Sequence, residues 1–267
     1  MTRRWPCVDA ARAHDASARV PFFIDGHSVG SVARTHLYAL SGADALRVEA
    51  GGVHLTAPRD LRDALLATLN ERLRDAGLIR GWRAETYAIV GASHGSEPLA
   101  LIERAAARFW GTLTFGAHAN GYVAGGDGRP AQLWIARRAA NKTTDPGKLD
   151  NLIGGGVAWG ETPLQALVRE GDEEAGLDAA LVRQAVAAGT VDVCRDVADG
   201  LQRERIFVFD LALPAHVRPV NRDGEVAEFS LLATRHALAR AATADDMTVD
   251  AALVTLDFAR RHGLVDG

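Results

Sequence analysis

Cysteine is scarce in this chain of 267 residues, which contains only Cys7 and Cys194. The two lie far apart, and no CxxC pair or Cys/His spacing typical of a zinc site accompanies them. This scarcity excludes disulfide-rich scaffolds and zinc ribbons. It predicts two reduced thiols in a cytoplasmic protein, with a single disulfide as the alternative.

Long apolar runs and basic stripes are also missing. The apolar runs are much shorter than the roughly 18 residues of a transmembrane helix, and no apolar segment follows the charged start of the chain as in a signal peptide. The formal net charge is −4, and no Lys/Arg stripe has interleaved aromatic residues. We therefore expect neither a membrane nor a nucleic acid as partner. The sequence does not define the oligomeric state.

Hydrophobic residues make up 48% of the chain, which is enough to bury a core. Residues 1–112 are typical of a small α/β unit. Its expected strands cover residues 20–24, 30–40, 46–56 and 85–90, with a turn at Gly51-Gly52. Its expected helices cover residues 58–76 and 98–110.

Residues 113–267 are predicted to form a second unit. Its expected strands cover residues 118–124, 132–138, 188–195, 205–213 and 225–231. A polar loop is expected over residues 141–150 and a closing helix over residues 248–261.

Residues 155–177 contain the strongest local signals. Thr162 is a suitable helix N-cap, Pro163 takes the first helical position, and Gln165 completes a capping box. Gly176 is placed to end the helix in a left-handed conformation. The pattern therefore predicts a helix that begins after Thr162 and ends before Gly176.

Three carboxylates share one face of this predicted helix, because Glu170, Glu173 and Glu174 are spaced i, i+3 and i+4. Arg169 can pair with Glu173, but one arginine does not neutralise three acids. A hard divalent cation with oxygen ligands would do so. A solvated, glutamate-rich helix face is the competing interpretation, so the flanking residues have to decide.

The flanking residues resemble the signature of the Nudix hydrolases, G-x5-E-x7-R-E-U-x-E-E-x-G-U, in which U is a bulky apolar residue. The matching residues are Gly155, Glu161, Arg169, Glu170, Glu173, Glu174, Gly176 and Leu177. Gly171 departs from the pattern at the first U position, where it costs about 1 kcal/mol of helix propensity relative to alanine. We expect Gly171 to face the sheet and to allow closer packing there.

The resemblance implies an α+β or α/β fold, an α/β/α sandwich with a mixed sheet, preceded by the small α/β unit. It implies Mg²⁺ as the cofactor, with Mn²⁺ as an alternative, held by Glu170, Glu173, Glu174 and the carbonyl of Gly155. Glu173, Glu174 and Arg169 would be the catalytic residues of the helix. Arg169 would orient Glu173, and Glu161 would have a structural role. The metal would lower the pKa of a bound water and stabilise the leaving phosphate oxygen.

The resemblance leaves the general base open. Glu173 and Glu174 are candidates, and so is Glu225, because Nudix proteins often carry a glutamate at a comparable strand entry. A solvated loop acid explains Glu225 equally well. Lys142 and Lys148 are candidates to bind substrate phosphates, with ordinary solvated lysines as the alternative. Trp159 is a candidate to stack on an aromatic substrate ring.

Segments outside the signature resemble one Nudix branch. They cover residues 19–30, 142–156, 223–229 and 256–263. In that branch a domain of uncharacterised function (DUF4743) precedes the Nudix part, and its members include the Nudix part of fungal thiamine pyrophosphokinase fusions and their plant relatives. The resemblance implies a DUF4743-like domain over residues 1–112 and a Nudix domain over residues 113–267. It also implies a small-molecule diphosphate as substrate, an oxidised thiamine diphosphate that is cleaved to the monophosphate and phosphate.

Three alternatives stay open at this point. A nucleoside diphosphate derivative such as ADP-ribose or NADH needs the same features. A regulator that only binds a ligand would have lost the glutamates of the signature, and all of them are present. An isomerase of the isopentenyl diphosphate type shares the fold but uses a cysteine, and nothing around Cys194 indicates an activated thiol.

Overall fold

The computed structural model describes residues 5–91, 96–243 and 245–265. The charged start of the chain, residues 1–4, which was considered above for a signal peptide, lies outside them. Up to residue 112 the elements are, in chain order, α1 (Pro6–Ala10), a 3₁₀ helix (Ala16–Ala18), β1 (Arg19–Ile24), β2 (His27–Ala33), a second 3₁₀ helix (Arg34–Leu40), β3 (Leu46–Glu49), β4 (Gly52–Leu55), α2 (Arg59–Asp75), β5 (Thr86–Ile89), β6 (Ala100–Glu103) and α3 (Ala106–Trp110). One sheet has the strand order β2-β1-β4-β3, and β5 pairs with β6.

The elements after residue 112 form a larger sheet with its helices. They are β7 (Thr114–Ala124), β8 (Pro130–Arg138), β9 (Leu149–Asp150), β10 (Ile153–Gly156), α4 (Pro163–Glu173), α5 (Ala179–Val182), β11 (Val186–Val197), β12 (Gly200–Ala212), β13 (Val226–Ala233), α6 (Thr234–Ala241) and α7 (Val249–Arg261). The strand order is β11-β12-β7-β8-β13, with β10 paired to β7 and β9 to β8. Strand β12 runs parallel to β7 and the other pairs are antiparallel, so the sheet is mixed. None of the helices in the described part of the chain is long and apolar enough to cross a membrane.

The mixed sheet lies between two helical layers. On β12, Phe209 belongs to an apolar core with Leu167 of α4. Its neighbour Val208 belongs to a different core with Val254 of α7. Because successive side chains of a strand point to opposite faces, α4 and α7 cover opposite sides of the sheet. The expected α/β/α sandwich is therefore confirmed.

The smaller sheet has a core of its own, which extends from Val20 to Trp110. Phe22 of β1 packs on Trp110 of α3, with ring centroids 4.6 Å apart. The indole Nε1 of Trp110 donates a hydrogen bond to Oδ1 of Asn70 on α2 at 2.8 Å. These contacts fix α2 and α3 to the smaller sheet.

Helix α1 packs on the larger unit although it comes first in the chain. Trp5 and Cys7 share a core with Phe258 of α7. The backbone amide of Cys194 on β11 donates to the carbonyl of Ala11 at 2.7 Å. The division of the chain between residues 112 and 113 stays a prediction.

Two predicted elements of the N-terminal part are wrong in part. The strand expected over residues 30–40 ends at Ala33, and a 3₁₀ helix follows in which Leu37 and Leu40, three residues apart, both contact the core. Residues 98–110 were expected to form one helix, but they form strand β6 followed by the short helix α3. Pairing of β6 with β5, for example Ile102 opposite Tyr87, takes precedence over local helix propensity there.

Candidate active site

Helix α4 is fixed at both ends by its own sequence. Thr162 Oγ1 accepts a hydrogen bond from the amide of Gln165 at 3.2 Å, and Gln165 Oε1 accepts one from the amide of Thr162 at 2.8 Å. This is the predicted capping box. Gly176 has a φ of 60°, the left-handed conformation in which the chain leaves the helix. Both predicted helix ends are confirmed.

Gly171, the departure from the Nudix signature, lies on the packed side of α4. A Cβ at this position would stand 2.9 Å from Cγ2 of Val182 and 3.1 Å from Cδ1 of Ile153. Since Ile153 belongs to β10, Gly171 faces the sheet as expected. The missing side chain lets α4 approach β10 closely, and it leaves the carboxylate face of the helix unchanged.

The predicted metal ligands lie together on one side of a cleft of about 310 Å³. We call this side the acidic wall, and it consists of Glu170, Glu173, Glu174 and Gly155. Glu174 is buried, and its Oε2 accepts a hydrogen bond from the amide of Gly154 at 3.3 Å. A Cβ on Gly155 would stand 2.2 Å from Oε1 of Glu170. A glycine at 155 is therefore required for the Glu170 carboxylate to lie where it does.

Arg169 holds part of the acidic wall in place. Its Nε and Nη2 donate to the two carboxylate oxygens of Glu161 at 2.9 and 3.0 Å, a bidentate pair. Its Nη1 donates to Oε1 of Glu170 at 2.7 Å and to Oε2 of Glu173 at 3.4 Å. The hydrogen bonds that Arg169 donates to Glu161 lower the pKa of Glu161. Arg169 therefore makes a shorter hydrogen bond to Glu170 than to Glu173, although the sequence predicted that it orients Glu173.

Burial opposes the ionised form of two carboxylates in the acidic wall. The pKa of Glu174 is raised to about 8, first by burial and then by the charges of Glu170 and Asp150. Burial also raises the pKa of Glu170, against the lowering effect of Arg169. Because both pKa values are raised, a positive charge placed nearby would be needed to favour the ionised forms of Glu170 and Glu174.

The donor set of the acidic wall fits a hard divalent cation. Its side chains are all carboxylates, and carboxylate and carbonyl oxygens are the ligands that Mg²⁺ and Mn²⁺ prefer. Within residues 5–91, 96–243 and 245–265, no three His, Cys, Asp or Glu side chains converge on one metal position as they stand. Glu170 and Glu174 are instead engaged by Arg169 and by the amide of Gly154.

Glu225 lies between two cations in the same cleft. Arg83 Nη1 donates to its Oε1 at 3.1 Å, and Lys142 Nζ contacts its Oε2. Burial, followed by the charge of Arg138, lowers the pKa of Lys142. The structure therefore brings two predicted site residues, Lys142 and Glu225, to the acidic wall. Their roles as phosphate ligand and general base stay predictions.

Two other predicted substrate contacts lie elsewhere. Lys148 pairs with Asp145 at 3.1 Å and is not one of the described residues that line the cleft. Trp159 is 44% exposed and lines a separate apolar groove of about 270 Å³ with Val90 and Phe115. The structure does not place either side chain beside the acidic wall, and their roles in substrate binding stay predictions.

Three polar residues that the sequence analysis missed also line the cleft, namely Gln202, Glu204 and Asp250. Gln202 Nε2 donates to Oδ2 of Asp250 at 2.8 Å and to Oε2 of Glu204 at 3.0 Å. Oδ1 of Asp250 is buried without a hydrogen-bond partner in the part of the chain described, and burial raises the pKa of Asp250 to about 6. Polar residues at the alternate positions 202 and 204 indicate one polar face of a strand, but this spacing does not indicate that the face lines a cleft.

The N-terminal part contributes arginines to the cleft, which were also missed. We call Arg83, Arg104 and Arg108 the basic wall. Arg104 Nη1 donates to Oε2 of Glu85 at 2.8 Å, and Arg108 Nη1 lies 3.2 Å from Oδ1 of Asp199. The same three arginines also line an adjoining side cavity of about 640 Å³. No sequence motif joins these residues, because only the fold brings them together.

Strand β10 connects the N-terminal part with the acidic wall. A Cβ on Gly156 would stand 1.7 Å from the hydroxyl of Tyr87 and 3.4 Å from Cζ of Arg104. Three residues further on, the amide of Trp159 donates to the carbonyl of Thr86 at 2.9 Å. Strand β5 is therefore packed directly against the segment that leads into α4.

Cys194 lacks the features of an activated thiol. Burial raises its pKa, whereas a nucleophilic cysteine needs a lowered pKa. It lies on β11 and is not one of the described residues that line the cleft. These observations disfavour the isomerase alternative.

Family models match both parts of the chain. Residues 114–252 match the NUDIX domain, and residues 3–114 match a domain of unknown function, DUF4743. Nudix hydrolase 20, chloroplastic, of Arabidopsis thaliana is 36% identical over 211 residues, which cover 79% of this chain and 55% of the relative. Nudix hydrolase 24, chloroplastic, of the same plant is 34% identical over 252 residues, which cover 92% of this chain and 68% of the relative. Both names place those relatives in the chloroplast, so a cytoplasmic location stays a prediction for this chain.

Among solved structures, the MutT protein from Methanosarcina mazei Go1 is similar with a TM-score of 0.42 and 22% identity. The similarity covers 56% of this chain and 94% of that one. This chain spans about half the length of the first plant relative and about two thirds of the second. The match of the NUDIX model over residues 114–252 and the identity with the second relative establish the family. The chain belongs to the Nudix family, with a DUF4743 domain preceding the Nudix domain.

Proposed function

We propose that this protein hydrolyses a diphosphate linked to another group in a small molecule, and that it depends on Mg²⁺ or Mn²⁺. The observation that carries the proposal is the acidic wall, in which Glu170, Glu173 and Glu174 line one cleft with Gly155. Family membership supports the same activity, since both plant relatives are named as Nudix hydrolases.

The bound metal would neutralise the diphosphate and lower the pKa of a water molecule. Arg169 keeps the Glu170 carboxylate in one orientation through its 2.7 Å hydrogen bond. Glu225 is our first candidate for the general base, because it lines the cleft and is not one of the predicted metal ligands. It would accept the proton of the attacking water, with Glu173 and Glu174 as alternatives. The water oxygen bonds to phosphorus as the bridging P–O bond breaks, which yields a monophosphate and phosphate.

We further propose an oxidised thiamine diphosphate, such as oxothiamine diphosphate, as the substrate. Five arginines and three aspartates line the side cavity. This excess of arginine over aspartate among the lining side chains disfavours the cationic thiazolium of intact thiamine diphosphate relative to the neutral oxo form. A nucleoside diphosphate derivative such as ADP-ribose or NADH is the second candidate, because a cavity of about 640 Å³ also admits a nucleoside.

Turnover of a diphosphate panel by the full-length protein tests the proposal. The panel contains oxothiamine diphosphate, thiamine diphosphate, ADP-ribose and NADH at one magnesium concentration. Glu174→Gln keeps the shape of the side chain and removes its charge, so we expect kcat to fall by at least the roughly 10- to 100-fold that loss of an outer-shell partner of a metal ligand costs. Asp172→Asn is the matched control, because Asp172 lies on the same helix but pairs with Arg222 on the surface.

Each outcome of this assay decides one part of the proposal. Wild-type turnover by Glu174→Gln in metal-buffered solution would remove the acidic wall from the mechanism. Failure of the wild-type protein to hydrolyse any diphosphate would favour the ligand-binding regulator. A preference in kcat/KM for ADP-ribose or NADH by about tenfold, or about 1.4 kcal/mol, would overturn the thiamine proposal and leave the hydrolase proposal standing.

A further inference from the structure

The basic wall is shared between the cleft and the side cavity. Arg83, Arg104 and Arg108 line both spaces. A molecule that reaches from the acidic wall into the side cavity therefore passes these three guanidinium groups. All three belong to the part of the chain that matches a domain of unknown function.

The fold fixes the backbone positions of the basic wall. The amide of Arg83 donates to Oε1 of Glu103 at 2.8 Å, and the amide of Arg104 donates to the carbonyl of Glu85 at 2.9 Å. Around Arg108, a Cβ on Gly200 would stand 2.1 Å from the carbonyl oxygen of Arg108. The turn between β11 and β12 is thus packed against the backbone of α3.

Arg83 and Arg108 of the basic wall have N–H groups that are not used in hydrogen bonds among the described residues. A guanidinium has five N–H groups. Within the described part of the chain, the Arg83 guanidinium donates only to Glu225, and that of Arg108 donates only to Asp199. Each of these guanidinium groups therefore keeps N–H groups that an incoming anion can use. Arginine forks match phosphate oxygens well, because two parallel N–H groups bind two oxygens.

The side cavity limits which organic groups fit. Arg80 and Arg195 add further positive charge to it, and no aromatic side chain is found among the described residues that line it. A planar group in this cavity would stack on guanidinium faces rather than on an aromatic ring. Among the side chains that line this cavity, a cationic group would meet five guanidinium groups and three carboxylates.

We propose that Arg83, Arg104 and Arg108 bind the phosphate that remains attached to the organic group, and that the side cavity receives this organic group. The proposal rests on the proposed hydrolase function and assigns substrate recognition to the DUF4743 domain. The recognised class is a phosphate monoester whose organic part is polar and uncharged or anionic.

Binding of inorganic phosphate to the full-length protein, measured calorimetrically in EDTA, tests the basic wall without the metal. We expect Arg108→Gln to weaken phosphate binding by about tenfold, because a charge-assisted hydrogen bond is lost. Arg83→Gln should weaken it similarly, and this variant keeps the proposal testable if loss of the Arg108–Asp199 pair prevents folding. Arg108→Lys should retain part of the affinity, since it keeps the charge but loses the fork.

Arg72→Gln is the matched control, because Arg72 lies on α2 and lines neither the cleft nor the side cavity. Unchanged phosphate affinity in both Arg83→Gln and Arg108→Gln, or an equal loss in Arg72→Gln, would overturn the proposal. If the wild-type protein binds phosphate through the basic wall but hydrolyses no diphosphate, the hydrolase proposal fails and the anion site stands. If it hydrolyses diphosphates while both arginine variants bind phosphate normally, the anion site fails and the hydrolase stands.

Discussion

The acidic wall and the basic wall face the same cleft but are built in different ways. The acidic wall comes from one short segment of the chain, with Gly155 on β10 and the three glutamates on α4 and at its C-terminal end. The ends of α4 are set by a capping box and by Gly176 within the same segment. The basic wall depends on contacts between distant segments, such as the pair of Arg108 with Asp199. The predicted metal ligands can therefore be recognised from one short stretch of sequence. The residues proposed for substrate recognition become neighbours only when the chain folds.

Gly155→Ala should have the largest effect, and it acts on the acidic wall alone. The new Cβ would stand 2.2 Å from Oε1 of Glu170, so the carboxylate has to move. Displacement of a catalytic group by an ångström lowers turnover by about 100-fold, and we expect a loss of that size in kcat. Gly126→Ala is the control, since a Cβ at Gly126, in the loop between β7 and β8, has nothing within 4 Å. Equal turnover of the two variants would show that crowding at Gly155 does not matter.

Gly156→Ala tests the contact between the N-terminal part and the acidic wall. Its Cβ would stand 1.7 Å from the hydroxyl of Tyr87. Overpacking of this kind lowers the free energy of unfolding by about 1–3 kcal/mol, which urea denaturation measures. Adding Tyr87→Phe removes the clashing oxygen and should restore part of the lost stability, because the ring carbon Cζ would still stand 3.0 Å from the Cβ. A double variant as unstable as Gly156→Ala would locate the strain elsewhere.

Lys142→Met and Lys148→Met form a matched pair. Lys142 lines the cleft beside Glu225, whereas Lys148 does not line the cleft and pairs with Asp145, which does. Loss of a charged phosphate contact should raise KM by about tenfold for Lys142→Met. We expect Lys148→Met to keep the wild-type KM in the same steady-state assay. An equal rise for both would mean that Lys148 also reaches the substrate.

Asp250→Asn should have the smallest effect, on stability and its pH dependence. Burial raises the pKa of Asp250 from 3.8 to about 6, so the folded state binds the proton more tightly than the unfolded state. The stability from this group is therefore complete below about pH 4 and is lost as the pH rises through about 6. Asp250→Asn should remove this dependence and raise the free energy of unfolding at neutral pH.

Urea denaturation at a series of pH values measures the effect of Asp250→Asn. Asp44→Asn, at an exposed loop acid, is the control. A wild-type protein whose stability does not fall between about pH 4 and pH 6 would contradict the assignment to Asp250.

Sequence patterns were sufficient where a structure depends on adjacent residues. The capping box of Thr162 and Gln165, the end of α4 at Gly176 and the inward position of Gly171 were all predicted and are confirmed. The sandwich was implied by the family resemblance and is confirmed too. Patterns failed for residues 98–110, because pairing of β6 with β5 depends on a partner strand rather than on local propensity.

The parts of the site that were missed share one physical reason. Asp250 lies on α7 and Glu204 on β12, yet both line the cleft with the helix α4. Neither stands in a motif, and neither has a spacing that relates it to Glu170. Their function in the cleft follows from strand register and helix packing, which one sequence does not specify.

Helix α1 has a consequence for how the chain is made. Cys7 of this helix and Trp5, the residue before it, pack with Phe258 of α7, although the whole smaller sheet separates them in the chain. On a ribosome, α1 emerges long before its packing partner, so its apolar face has to wait until α7 has left the exit tunnel. The sandwich therefore cannot be completed in the order of synthesis. A circular permutant that places α1 directly after α7 would remove this delay and replace a distant contact with a local one.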